Sequence, residues 1–309
     1  MGYGHKPVLL DEVIDALNIQ ADGFYIDGTF GRGGHSREIL NRLGPQGRLL
    51  AFDKDPDAIN AVSDVLGQDA RFEIIQGSFT MLMQQVTRCD VAAQVAGILL
   101  DLGVSSPQLD DAKRGFSFRL DAPLDMRMDP NEALTAADWI NNSNENEIAD
   151  VIYAFGEEHA SRRIAKAIVE QRNEKPITTT TQLADIVSKV IPKKKTTDIH
   201  PATKTFQALR IFINRELDEL KNVLPQIIDA LRPGGRLAII SFHSLEDRIV
   251  KRFIRNKSIP ESLPPELPVM PDQSMIQLKP VGKKIRAKEN EINLNPRARS
   301  AVLRVAERC

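Results

Sequence analysis

The residues best suited to chemistry sit in one short run, Asp27-Gly28-Thr29-Phe30-Gly31-Arg32-Gly33-Gly34-His35. Glycines packed this closely let the backbone approach a ligand and open the next helix N-terminus toward it. The spacing Gly28-x-x-Gly31-x-Gly33 is not the G-x-G-x-x-G of a nicotinamide or flavin site. A plain structural tight turn stays open on the glycines alone. Asp53 lies 20 residues beyond Gly33, where a carboxylate can accept both hydroxyls of a ribose and repels a 2′-phosphate. Phe79 has an apolar ring that can lie against an adenine, or can be ordinary core.

Asp101 ends another apolar run and is followed by Leu102-Gly103-Val104-Ser105-Ser106-Pro107-Gln108. Its carboxylate can accept hydrogen bonds from an amine or stabilise a nearby positive charge. Ser241-Phe242-His243-Ser244 ends a later run and faces the same rim. His243 is either a general base or a hydrogen-bonded contact residue. Phe116 and Phe118 are either anchors of a helical segment or stacking platforms for a displaced base.

Charge is unevenly distributed. The chain carries 41 basic and 42 acidic residues, yet residues 189–309 hold 24 Lys and Arg against 13 Asp and Glu. An acidic first part joined to a basic last part suggests a polyanion-binding face, or a solvated basic tail. Lys193, Lys194 and Lys195, then Lys283 and Lys284, then Arg297 and Arg299 are the candidate phosphate contacts.

Elements must position these groups. Phe24–Asp27, Arg48–Asp53, Phe72–Gln76 and Gly97–Asp101 read as short strands, and their near-continuous apolar character fits a parallel sheet covered on both faces. Helical stretches Ser36–Leu43 and Pro56–Leu66 lie between them, so the order implies βαβ units. From about Leu109 to Thr205 only helical patterns appear: one capped by Ser143 and carrying Ile148, Val151, Ile152 and Phe155, another from Thr181 to Val190 before Pro192. Phe206, Leu209, Ile213, Leu217 and Leu220 mark one face of a long helix. Pro233-Gly234-Gly235 turns the chain into strand Arg236–Ser241, residues 256–280 read as a proline-rich loop, and 301–305 as a last strand. The expected architecture is α/β, a Rossmann-like sheet domain (1–108 and 206–309) interrupted by an inserted helical domain (109–205).

Of 309 residues, 42% are hydrophobic and 27% charged, values of an ordinary globular chain. No apolar run approaches the roughly 18 residues of a membrane span, and Met1–Pro7 lacks a secretion-signal pattern. Cys89 and Cys309 are the two cysteines, too few for a disulfide framework or zinc site. A cytoplasmic protein with no metal and no membrane partner is expected.

The glycine motif, Asp53 and the Pro-Gly-Gly turn resemble class I S-adenosylmethionine-dependent methyltransferases. More narrowly, His5–Leu10, Tyr25–Ser36, Leu99–Asp110, Arg114–Phe118, His200–Thr203, Ser241–Arg248 and Asn295–Ser300 resemble the bacterial MraW/RsmH family of 16S ribosomal RNA cytosine-N4 methyltransferases. The resemblance implies an inserted-domain methyltransferase fold, S-adenosyl-L-methionine as cofactor, and a substrate cytidine in the P-site part of the decoding centre, on assembled small subunits. It implies cofactor contacts from Gly33, Gly34, His35, Asp53, Phe79, Asp101 and Gln108, and Asp27 and Gly31 are further candidates for the same site. The candidate catalytic residues are Asp101, Ser105, Ser106 and His243; Phe116, Phe118 and Phe242 are candidates for stacking the base. No Pro-Pro-aromatic follows Asp101, a departure from other amino methyltransferases. A homodimer is left open.

Overall fold

The computed structural model describes residues 7–62, 64–191, 200–259 and 276–309. Lys193, Lys194, Lys195 and Pro192 lie outside them. Two compact units divide the chain: residues up to Gly103 together with Leu217 onward, and Val104–Glu216. The divisions fall earlier and later than the junctions expected at 108 and 206.

The first unit is built on an eight-stranded sheet: β1 (Phe24–Asp27), β2 (Arg48–Asp53), β3 (Phe72–Gln76), β4 (Val95–Asp101), β5 (Leu231–Ser241), β6 (Leu278–Pro280), β7 (Ile285–Arg286) and β8 (Val302–Arg308). The order is β3-β2-β1-β4-β5-β8-β6, with β7 also paired to β8. Neighbouring strands from β3 to β5 run parallel, and β8 is antiparallel to β5. This is the doubly wound arrangement, in which ligands gather at the carboxyl ends of the strands.

Alternation along each strand explains the apolar runs. Tyr25, Leu49 and Leu99 enter one core with Val13, Leu17 and Ile39. Their neighbours Ile26, Leu50, Ile98 and Leu100 enter the opposite core with Leu224, Ile227 and Val250. Each fully buried Leu or Ile contributes about 1.5–3 kcal/mol. The polar strand-end residues fall where both layers stop.

The second unit is helical, with Trp139, Ile152, Ile164, Ile168, Leu183, Val187, Phe206 and Leu209 in one core. The helix Glu145–Gly156 is capped by Asn144, not Ser143, which instead closes the preceding helix Ala136–Asn142. Asn144 Oδ1 accepts from Glu147 N at 2.9 Å and Glu147 Oε2 accepts from Asn144 N at 3.2 Å. That reciprocal pair needs an acid three residues past the cap, which only Asn144 has. The helix expected at 181 starts at Thr180 on a Thr179 cap.

Other expectations shift locally. The stripe from Phe206 to Leu220 belongs to two helices, Thr203–Ile213 and Glu216–Ala230. They break at Arg215, whose φ of 51° is left-handed. The segment 56–66 is two short helices, Pro56–Asn60 and Asp64–Gly67, and the 36–43 helix is Gly34–Arg42. Pro233-Gly234-Gly235 is an excursion within β5: Leu231 pairs with Val95 and the next pair is Arg236 with Gly97. The 256–280 segment is structured at both ends, with helix Ser244–Lys257 and strand β6. Among the described residues no helix is long and apolar enough to cross a membrane.

Candidate active site

The loop after β1 is tied to both strands beside it. Gly28 N donates to Leu99 O of β4 and Phe30 N to Phe52 O of β2, each at 2.8 Å. Asp101 N donates to Thr29 Oγ1 at 2.6 Å. Gly31 N donates to Asp53 Oδ2 at 2.7 Å. These bonds fix the glycine loop against the ends of three adjacent strands, so the ends of β1, β2 and β4 act as one surface.

The glycines do different work. Gly33 has φ 70°, and a Cβ there would stand 2.6 Å from Phe30 Cζ. A Cβ on Gly34 would meet Pro7 Cγ at 2.1 Å. Both positions are therefore small because the protein packs against them. Gly31, at φ 57°, would point its Cβ into open space. It is the glycine whose bare backbone faces where a ligand can come close.

Asp27 is 1% exposed, and both its oxygens are used: Oδ1 accepts from Thr29 N and Oδ2 from Ser36 Oγ. It braces the loop from the inside. Burial pushes its carboxyl up to about 6, against the Ser36 and Thr29 bonds that favour the charge. Asp53 is half-buried; its oxygens accept from Gly31 N and Asp55 N, which leaves lone pairs for further donors. Burial raises its carboxyl too, with those backbone bonds opposing. Phe79 starts a 3-10 turn after β3 and is half-buried against the core.

Asp101 is strongly perturbed. Burial, then repulsion from Asp27 and Glu246, pushes its carboxyl up to about 8. A quarter of its side chain reaches solvent, but Oδ1 is enclosed and has no hydrogen-bond partner. His35 is 5% exposed, and burial lowers it to about 4, so its ring is neutral. The Val8 carbonyl, 3.2 Å from Nε2, can only accept. Nε2 therefore carries the ring proton, and bare Nδ1 stands 3.8 Å from Asp101 Oδ2.

At and just beyond the end of the next strand, Ser241 Oγ and both ring nitrogens of His243 are also buried without hydrogen bonds. His243 Nε2 is 3.2 Å from Glu246 Oε1, outside bonding geometry. Glu246, 2% exposed, was not singled out by sequence reasoning, although His243-x-x-Glu246 has capping-box spacing. Its Oε2 accepts from Phe242 N at 2.8 Å and His243 N at 3.2 Å, so it sets the backbone that carries both side chains. Buried polar atoms without partners are rare; among the described residues, four of the six lie at or just beyond the ends of these two paired strands.

The remaining candidates divide between the two units. Within the second unit, Ser105 caps the short helix Ser106–Asp110, and Gln108 Oε1 accepts from Ser105 N at 2.8 Å. Phe116 is 7% exposed in the core of that unit. Phe118 packs between His200 and Phe206, at 4.6 and 4.7 Å. In the first unit, Lys283 and Lys284 are exposed between β6 and β7, and Arg297 and Arg299 lie on the turn before β8.

The sequence model of the MraW methylase family matches residues 2–309. The chain belongs to this family. It is 57% identical over 304 residues to the Coxiella burnetii protein named ribosomal RNA small subunit methyltransferase H, covering 98% of each chain. Proteins of the same name are 55% identical in Chromobacterium violaceum, over 99% of this chain and 95% of that one, and 54% identical in Legionella pneumophila, over 98% of both. MraW family membership and the β3-β2-β1-β4-β5 order make the first unit a class I methyltransferase fold. A group of carboxylates with an unsatisfied acceptor fits a methyl donor that is itself a cation: positive charge beside Asp101 offsets the burial, and then the repulsion from Asp27 and Glu246, that raise its pKa.

Proposed function

We propose that this protein transfers a methyl group from S-adenosyl-L-methionine to the exocyclic N4 of a cytidine in the P-site part of the 16S ribosomal RNA decoding centre, on assembled small subunits in the cytoplasm. The relatives' shared name supports the small-subunit rRNA substrate. The single observation that carries the chemistry is the orphaned Asp101 Oδ1 beside a glycine loop bonded to Asp53.

The cofactor, when bound, supplies a methyl group on a positively charged sulfur. Asp53 would accept its ribose hydroxyls, Phe79 would lie against its adenine, and Gly31 and Gly33 to His35 would line the approach. The chain's own residues then have a narrow task. A cytosine N4 lone pair is delocalised into the ring, so the amine is a poor nucleophile until its hydrogens are held. Ionised Asp101 is the acceptor we assign to an N4–H and to the proton released after transfer. Holding donor and acceptor near attack distance is worth up to about 7–11 kcal/mol in favourable cases. Phe242 is the aromatic assigned to the base, because it follows the strand whose end pairs with Asp101. Displacing the target base costs a few kcal/mol.

Small subunits from cells lacking the enzyme, incubated with labelled cofactor and digested to nucleosides, test this reading. N4-methylcytidine in 16S RNA is expected. Label in ribosomal protein, in another nucleoside or nowhere would overturn it.

A further inference from the structure

The first unit holds a concave site that shares no residue with the carboxylate cluster. It is a cleft of about 240 Å³ between the C-terminal half of helix Ser244–Lys257 and the outer edge of β8. One helical face, Lys251, Ile254, Arg255 and Ser258, forms a wall. The opposite wall is Lys283 and Lys284, and Val281 and Val305 contribute apolar surface.

The edge of the sheet is shaped to put those lysines there. Val281 N donates to Val305 O, and Ile285 pairs with Leu303. Gly282, Lys283 and Lys284 therefore stand opposite Arg304 alone and bulge out of the ladder, with Gly282 at φ 66°. Bulges of this kind re-aim side chains at sheet edges and beside functional sites.

Among the described residues, one cation of the cleft is neutralised and four are not. Arg304 is held by Asp247 in a two-pronged ion pair, at 2.6 and 3.0 Å. Among the described residues, Lys251, Arg255, Lys283 and Lys284 have no acidic partner. Lys251 and Arg255 are four apart on one helix and repel each other. Arg255 suits the negative end of its helix, and edge lysines discourage strand pairing. Neither role calls for four cations converging on one cleft with apolar surface.

We propose that this cleft is a docking site for the phosphodiester backbone of RNA, with phosphates on the four cations and sugar on the apolar surface. The inference rests on the RNA-methyltransferase reading and adds to it a named second anchor point. It holds the substrate RNA away from the reacting base, so it governs affinity and leaves chemistry alone.

Two double variants, Lys251→Gln with Arg255→Gln and Lys283→Gln with Lys284→Gln, test it against Arg42→Gln with Lys221→Gln, which removes the same charge from ion-paired surface positions. A labelled single-stranded 16S fragment and intact small subunits are the probes. Each cleft variant should bind the fragment about 5–10-fold more weakly at 150 mM salt. The slope of log affinity against log salt should fall by about 0.7 for each phosphate no longer neutralised. KM for small subunits should rise, while kcat, cofactor affinity and melting temperature stay at wild-type values. Wild-type binding and salt slope in folded cleft variants, or a weakening equalled by the control pair, would overturn the cleft while leaving the methyltransferase reading intact. Equal displacement by polyglutamate would overturn it in favour of an acidic protein partner. A wild-type protein that neither binds nor methylates small-subunit RNA would remove both.

Discussion

Gly31 N donates to Asp53 Oδ2 across 2.7 Å, joining the loop after β1 to the end of β2. The bond makes the glycine loop and the ribose-type acid one structural piece: moving either moves the other. It also fixes which Asp53 lone pairs remain for a ligand.

Asp53→Ala should weaken S-adenosylmethionine binding by about 10–100-fold, the worth of hydrogen bonds to a charged group. The fold should survive, because Asp53 is a strand-end residue outside both cores. Calorimetric titration with a melting curve measures both; unchanged affinity would remove Asp53 from the site.

Gly33→Ala and Gly31→Ala separate packing from ligand approach. The first places a Cβ 2.6 Å from the Phe30 ring at φ 70° and should cost about 1–3 kcal/mol of stability. The second meets nothing within 4 Å and should cost about 1 kcal/mol, yet lose cofactor affinity. Urea unfolding paired with cofactor titration distinguishes them.

Asp101 gives the site its pH dependence. Its carboxyl titrates near 8 in the folded protein, far above an ordinary aspartic acid. A cationic ligand prefers the ionised form, so cofactor affinity should rise with pH from 6 through 8, by up to about tenfold per unit, and then level off. Affinity that is flat over this range would contradict the assignment.

The same shift has the opposite sign for stability. The folded state keeps a proton that the unfolded chain releases between about pH 4 and 8, so this site's contribution to stability falls as pH rises through that window. Asp101→Asn should therefore raise the melting temperature at pH 8, by roughly 2–6 °C, and by less at pH 5, while abolishing methyl transfer. A drop in melting temperature at pH 8 would show that the carboxylate is stabilised in a way the geometry does not reveal.

Glu246 contributes repulsion to Asp101 and holds the Phe242–His243 backbone. Glu246→Gln keeps an acceptor and deletes the charge. The midpoint of the pH dependence of cofactor binding should move down, with little change in melting temperature. A purely structural role would move the melting temperature and leave the midpoint in place.

The strands are readable in the sequence because residues such as Tyr25 and Ile26, or Leu99 and Leu100, are buried on opposite faces, which produces unbroken apolar runs. Asp53 and Asp101 are readable because each ends such a run. The break at Arg215 is not: an arginine at φ 51° carries none of the glycine or proline signal that marks a turn. Ser143 and Asn144 are both good caps by type, and only the register to Glu147 decides for Asn144. Asp27 as brace and Glu246 as backbone anchor depend on contacts with Ser36 and Phe242, which side-chain type alone does not specify.

A structure of the protein with S-adenosyl-L-methionine is the sharpest test of the site at the ends of β1, β2 and β4. The adenosine is expected at Asp53 and Phe79, its chain over Gly31, and the sulfonium on the side of Asp101. Cofactor seated at any other part of the molecule, or away from both Asp53 and Asp101, would contradict this assignment.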